Sequence, residues 1–144
     1  MADCIVYAQG YKYQLRAGYA IYLPELADPD RPPIVTPWIE LDPDGWLRFA
    51  PGYAWDGASG PTYDSKSSMR PSLVHDGGYQ LIRMGLLAAR FREVLDVIFH
   101  RLCLEDGMWS VRAQLWYHAV RIFGKPGTDP AAESPDEFAG CGCK

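Results

Sequence analysis

The spacing of apolar and polar positions divides the chain into three zones. Residues 5–55 read as strands: the stretch 11–23 is rich in Tyr, Ile and Leu, and 38–49 is interrupted by Asp42-Pro43-Asp44-Gly45. Pro presets the first turn dihedral and Gly accepts the left-handed one, so this tetrapeptide predicts a hairpin pairing 38–41 with 46–49. Ala27-Asp28-Pro29-Asp30-Arg31-Pro32-Pro33 carries too much proline for a central strand and reads as a loop.

From about residue 69 the period becomes helical. Pro71 suits a first helical turn after Ser67, Ser68 or Met69, and Leu73, Gly77 and Leu81 stack on one face until Gly85. A second run, Phe91, Val94 or Leu95, Ile98 and Leu102, steps by three and four until Asp106-Gly107. A third, Val111, Leu115, Ala119, Ile122 and Phe123, ends at Gly124 with Pro126 beyond. The pattern predicts an α+β fold, an N-terminal antiparallel sheet with hairpins packed on three helices. One domain is expected over 1–124, with strands in about 5–55 and helices in about 69–123. Residues 125–144 are Pro, Gly, Ala and acid, and read as a flexible acidic tail with a Cys-x-Cys end.

Composition adds limits. At 144 residues the chain has the length of one domain, and 48% hydrophobic with 22% charged residues is enough apolar side chain for a core. With 14 Lys+Arg against 18 Asp+Glu the net charge is −4 and no basic run exists, so no nucleic-acid partner is expected. No basic segment leads into an apolar stretch at the N-terminus and no long apolar run follows. Neither a signal peptide nor a transmembrane segment is expected. Cys4, Cys103, Cys141 and Cys143 are too scattered for a disulfide framework, which favours cytoplasmic synthesis with reduced thiols.

The candidate chemistry centres on Asp56, His75, Asp76 and Asp96. Two helices joined by a short turn at Gly85 run antiparallel, and His75 lies ten positions before that glycine and Asp96 eleven after it. At that matching height the carboxylate can fix the imidazole's tautomer and support it as a general base. Asp76 is rotated by about 100° from His75 and is free to be a metal ligand. Tyr79, one turn past His75, is placed to hydrogen-bond Asp96 and so support a carboxylate that is expensive to bury. Asp56-Gly57 leaves the last strand through a turn that offers backbone carbonyls beside a carboxylate, the oxygen mixture that calcium takes.

These residues carry a resemblance. Asp56-Gly-Ala-Ser59, His75-Asp76-Gly-Gly-Tyr79, Asp96-Val-Ile-Phe99 and Trp116-Tyr-His-Ala-Val-Arg-Ile-Phe-Gly124, in that order, resemble a group of short proteins of tailed phages and prophages, the domain-of-unknown-function 1353 family, over about residues 5–124. The helical half is also similar, more remotely, to the short secreted phospholipase A2 enzymes of bacteria and fungi. That resemblance implies a phospholipase A2-like esterase in which His75 is the general base, Asp96 orients it and Tyr79 supports them. Asp56, Gly57 and Asp76 would bind calcium, which would polarise the ester carbonyl of a bacterial phospholipid. Val74 stands where the secreted enzymes have a disulfide-bonded cysteine, and the calcium loop here bears none. The phage resemblance implies synthesis in a host cytoplasm and a place in the virion. Its alternative to catalysis is a structural component of tail, connector or capsid, docked to other virion proteins rather than to a phospholipid membrane.

Other sites are weaker. A His-Asp phosphohydrolase needs a histidine upstream of His75, and none exists. Asp96, His100 and His118 would make an incomplete zinc set. Cys141 and Cys143 would bind a metal or cluster only with help from Cys103 or Cys4. Gly57-Ala-Ser59-Gly60 lacks the spacing of a serine-hydrolase elbow.

Overall fold

The computed structural model describes residues 5–7, 13–57, 65–129 and 137–139. The hairpin predicted at Asp42-Pro43-Asp44-Gly45 is present. β5 (Ile39–Leu41) and β6 (Trp46–Phe49) pair antiparallel with Leu41 opposite Leu47 and Ile39 opposite Phe49. Gly45 has φ +104°, and a Cβ there would lie 2.5 Å from the Leu23 carbonyl oxygen, so the turn requires glycine twice over. With β3 (Tyr19–Tyr22) and β4 (Ile34–Val35) these strands form an antiparallel sheet in the order β3-β6-β5-β4. Strand alternation buries Ile39, Leu41, Leu47 and Phe49 on one face and leaves Glu40, Trp46 and Arg48 on the other. β2 (Tyr13–Gln14) pairs with β7 (Ala54–Trp55) beside this sheet. β1 (Ile5–Tyr7) pairs with β8 (Glu137–Ala139).

The fold is thus α+β, with α1 (Lys66–Arg83), α2 (Phe91–Glu105) and α3 (Ser110–Phe123) following the sheet. Helix α1 begins earlier than its proline suggests. Ser65 caps it, its own amide donating to Ser68 Oγ at 2.9 Å in a capping box, and this satisfies the first turn five residues before Pro71. Pro71 therefore sits in the second turn, where it has no N–H to offer the carbonyl one turn back.

Helix α1 is held between the sheet and α2, and adjacent glycines make room on both sides. A Cβ on Gly77 would overlap the Phe49 ring, and one on Gly78 would overlap the Leu95 side chain. The chain then reverses twice through the same device. At the end of α1 the Leu86 amide donates to the Leu81 carbonyl and the Gly85 amide to Ile82, with Gly85 at φ +73°. At the end of α2 Met108 and Gly107 donate likewise to Cys103 and Leu104. Both are Schellman closures, and they set α2 antiparallel to α1 and α3 antiparallel to α2.

Helix α3 corrects the expected burial. It packs on Phe99, Cys103 and Met108 through Ala113, Trp116 and Val120, whereas Val111, Leu115, Ile122 and Phe123 are 73%, 63%, 69% and 55% exposed. The helix carries two apolar stripes, and the one with the small Ala113 and the ring of Trp116, stacked on Phe99 at 6.2 Å, takes the single seam that α2 offers. Beyond α3, Lys125–Thr128 forms a 3-10 turn against α1, so part of the expected tail is packed or paired. Among the described residues no helix is long and apolar enough to cross a membrane.

Candidate functional site

Two hydrogen bonds join the end of the sheet region to α1: Trp55 Nε1 donates to Ser72 Oγ at 3.0 Å, and Tyr53 Oη donates to Gln80 Oε1 at 3.0 Å. They hold β7 along α1, so the chain turns at Gly57, φ +84°, over the helix that carries His75 and Asp76. A cleft of about 280 Å³ opens there, lined by Asp56, Gly57, His75, Asp76, Arg83 and Phe123 among others.

Behind the cleft the two expected partners meet. His75 Nε2 is 2.7 Å from Asp96 Oδ1, and the phenol of Tyr79 donates to the same oxygen at 2.5 Å. The connection is longer than the short turn expected at Gly85: residues 84–90 separate the helices, so His75 lies eight residues before the end of α1 and Asp96 five after the start of α2, and the two meet without equal counts about Gly85. Arg121 of α3 completes the arrangement, donating from Nη1 to Asp96 Oδ2 at 2.8 Å. The carboxylate is fully buried, and its two oxygens serve His75 and Tyr79 of α1 and Arg121 of α3. Gly124 allows the approach of α3, since a Cβ there would sit 2.7 Å from Tyr79 Oη.

Electrostatics follow from this geometry. Burial alone would raise the Asp96 carboxyl, but the bonds from His75, Tyr79 and Arg121 outweigh it and hold the group below the ordinary carboxylate range. His75 is opposed by burial, yet the carboxylates of Asp76 and Asp96 raise it above an ordinary imidazole. Its Nδ1 lies 3.9 Å from Asp76 Oδ1, so the ring has a sealed side at Asp96 and a cleft side at Asp76. Burial pushes the Asp76 carboxyl up, against the pull of His75, and the charge of Asp56 adds to the rise. Burial together with the bond to Asp96 raises Tyr79, so it acts as a donor.

The donor chemistry fits a hard cation in kind. Two carboxylates, Asp56 and Asp76, share the cleft with the Gly57 backbone, and they feel each other's charge. In number they are few against the roughly six to eight oxygens that calcium takes, which leaves positions for water and substrate. Among the described residues no group of three or more His, Cys, Asp or Glu side chains converges as a metal site. The zinc set is not assembled: Asp96 is occupied as above, while His100 and His118 set their rings edge-on to Tyr117 at 5.6 Å. Cys103 is buried in the α2–α3 seam, where burial pushes its thiol up to about 12. Cys4, Ser59, Cys141 and Cys143 lie outside the described residues.

Arg121 and Phe123 lie within the Trp116–Gly124 motif that carries the resemblance, but the resemblance assigns neither of them a role. A basic residue in the last turn of a helix reads as a partner for the helix dipole, and only the depth of the α3 seam turns it toward Asp96. Comparison with family models, curated proteins and solved structures gives no match for this chain.

Proposed function

We propose that this chain is a phospholipase A2-like esterase of phage type, hydrolysing fatty-acyl esters of bacterial phospholipids with His75 as general base. The observation that carries the proposal is the 2.7 Å contact of His75 Nε2 with the buried Asp96, which leaves Nδ1 on the cleft side. Held so, Nδ1 accepts a proton from the water that attacks the ester carbonyl, and the imidazolium returns it to the leaving alkoxide. Asp96 orients the ring and stabilises its charge, with Tyr79 and Arg121 fixing the carboxylate in turn. Asp56, Asp76 and the Gly57 backbone would hold calcium, whose chemistry there is polarisation of the ester carbonyl and stabilisation of the oxyanion. A bilayer is then the partner, and entry or lysis the occasion.

The test is fatty-acid release from phosphatidylethanolamine/phosphatidylglycerol vesicles with calcium or chelator, beside a His75→Gln variant. Calcium-dependent release that disappears in a folded variant is expected. No release from the folded parent protein would overturn the proposal.

One observation favours a second reading, a non-catalytic component of a virion. His75 is 4% exposed and Asp96 wholly buried, so the same network works as a clamp between helices. On that reading His75→Gln mainly destabilises, and the protein is found in purified particles.

A further inference from the structure

We propose a second binding site, a groove for a neutral glycan chain that leads from the mouth of the cleft to the outer face of the sheet. It does not depend on the esterase reading. Two hollows continue the cleft. The first, of about 200 Å³, shares Tyr53, Ala54 and Gln80 with it and is bounded by Trp38. The second, of about 190 Å³, shares that Trp38 and takes in Glu40 and Arg48, which stand opposite each other on β5 and β6 on the sheet face turned away from the core. Trp38, just before β5, is 49% exposed. Its ring lies against Gly52, where a Cβ would come to 3.0 Å from it, so a large flat apolar surface meets solvent in a held position.

Three observations select a glycan as the occupant. A pyranose ring carries C–H groups on its faces and hydroxyls around its rim, so it needs an aromatic face with donors and acceptors beside it. Tyr53 Oη donates to Gln80 Oε1 at 3.0 Å, which leaves Gln80 Nε2 with no closer partner than the Met84 sulfur at 3.9 Å. The Glu40 carboxylate and Trp38 Nε1 bond to no other side chain among the described residues. Donor, acceptor and ring face are therefore all available in one groove. An extended peptide, by contrast, recognises a sheet through free backbone groups, and those along the groove are spent. The Ala50 amide donates to Trp38 O at 2.9 Å, the Thr36 amide to Ile39 O at 2.9 Å and the Gly52 amide to Leu15 O at 2.8 Å. An anionic chain fits no better, because Arg48, the one cation among the described residues of the two hollows, donates to Asp42 Oδ2 at 2.7 Å and faces Glu40. The hydroxyls of an uncharged saccharide match this balance of charge.

Isothermal titration of the full chain with cellohexaose and with chitohexaose tests the inference, with a heparin hexasaccharide as the anionic control. The parent is expected to bind at least one of the neutral hexasaccharides, and to bind it about tenfold or more tighter than heparin. Trp38→Ala should weaken that binding by about tenfold or more, since tryptophan in a contact carries a large share of its energy. Glu40→Gln should weaken it by about threefold with an unchanged thermal melt, and carries the test alone if Trp38→Ala melts early. Trp109→Ala, which removes an indole 85% exposed on α3, should bind like the parent. Binding of neither neutral hexasaccharide by the folded parent overturns the inference. Tighter binding of heparin overturns it as well, as do folded Trp38 and Glu40 variants that bind like the parent, or a Trp109→Ala loss equal to that of Trp38→Ala. Saccharide binding that follows these variants in a protein that cleaves no ester would uphold the groove and reject the esterase.

Discussion

Replacing Asp96 by Asn keeps the shape of the side chain and removes its charge from beneath three donors. The carboxylate accepts from His75 and Tyr79 on Oδ1 and from Arg121 on Oδ2. An amide has one acceptor oxygen, and its NH₂ must face a donor in either orientation, toward Arg121 or toward His75 and Tyr79. Hydrogen bonds to a charged group contribute about 1.5–3 kcal/mol each. The Arg121 guanidinium is 31% exposed and recovers water when its partner is lost, so its share lies at the low end. Relief from burying a charge offsets part of the remainder. The expected loss is about 2–4 kcal/mol, at or below the ~3–5 for removing one partner of a wholly sealed pair. Urea denaturation at pH 7, with m held common to parent and variant, measures it. A loss under about 0.5 kcal/mol would refute the idea that this carboxylate ties the three helices together.

Asp96 is held below its ordinary range, so its stabilisation is complete above the unfolded value of ~3.9 and is lost as pH falls through the lower folded value. The stability gap between the parent and Asp96→Asn, followed by urea midpoints, should therefore narrow below about pH 4. Gly78→Ala gains about 1 kcal/mol of helix propensity but drives a methyl into Leu95, an overpacking of about 1–3 kcal/mol. It should melt lower than the parent, whereas a higher melting temperature would mean that α1 and α2 are not in close contact there. The Cys103 thiol, raised to about 12 by burial, should resist alkylation in the native protein and react only on unfolding, as read by mass-spectrometric mapping of the labelled site.

Legibility in the sequence followed locality. The Asp42-Pro43-Asp44-Gly45 hairpin and the helix stops at Gly85 and Gly107 are dictated by dihedrals that few other residues adopt, so a short window suffices to read them. The His75–Asp96 contact was readable as a pairing across two consecutive antiparallel helices, though not from equal counts about Gly85, since residues 84–90 separate the helices. Tyr79 followed from being one turn along the same helix face. Pro71 misled about the start of α1 because proline tolerates a first turn without requiring one, while Ser65 and Ser68 supplied the actual cap. Arg121 and the buried face of α3 were not legible for a different reason. Both apolar stripes of α3 have helical spacing, and only the shape of α2, with Phe99 and Cys103 at the seam, decides which turns inward.

Each helix supplies something to the carboxylate of Asp96: α1 the imidazole and phenol, α2 the acid itself, α3 the guanidinium. This makes the site a register of the whole helical half rather than a local patch. Any fluctuation that lifts α3 strips Asp96 of a counter-charge and uncovers Tyr79 beside Gly124, so such an opening is held back by the same bonds that orient the imidazole. Slow amide hydrogens of α3 and of the middle of α1 should then exchange with one common free energy, and a chain whose third helix frays would lose its dyad in the same event.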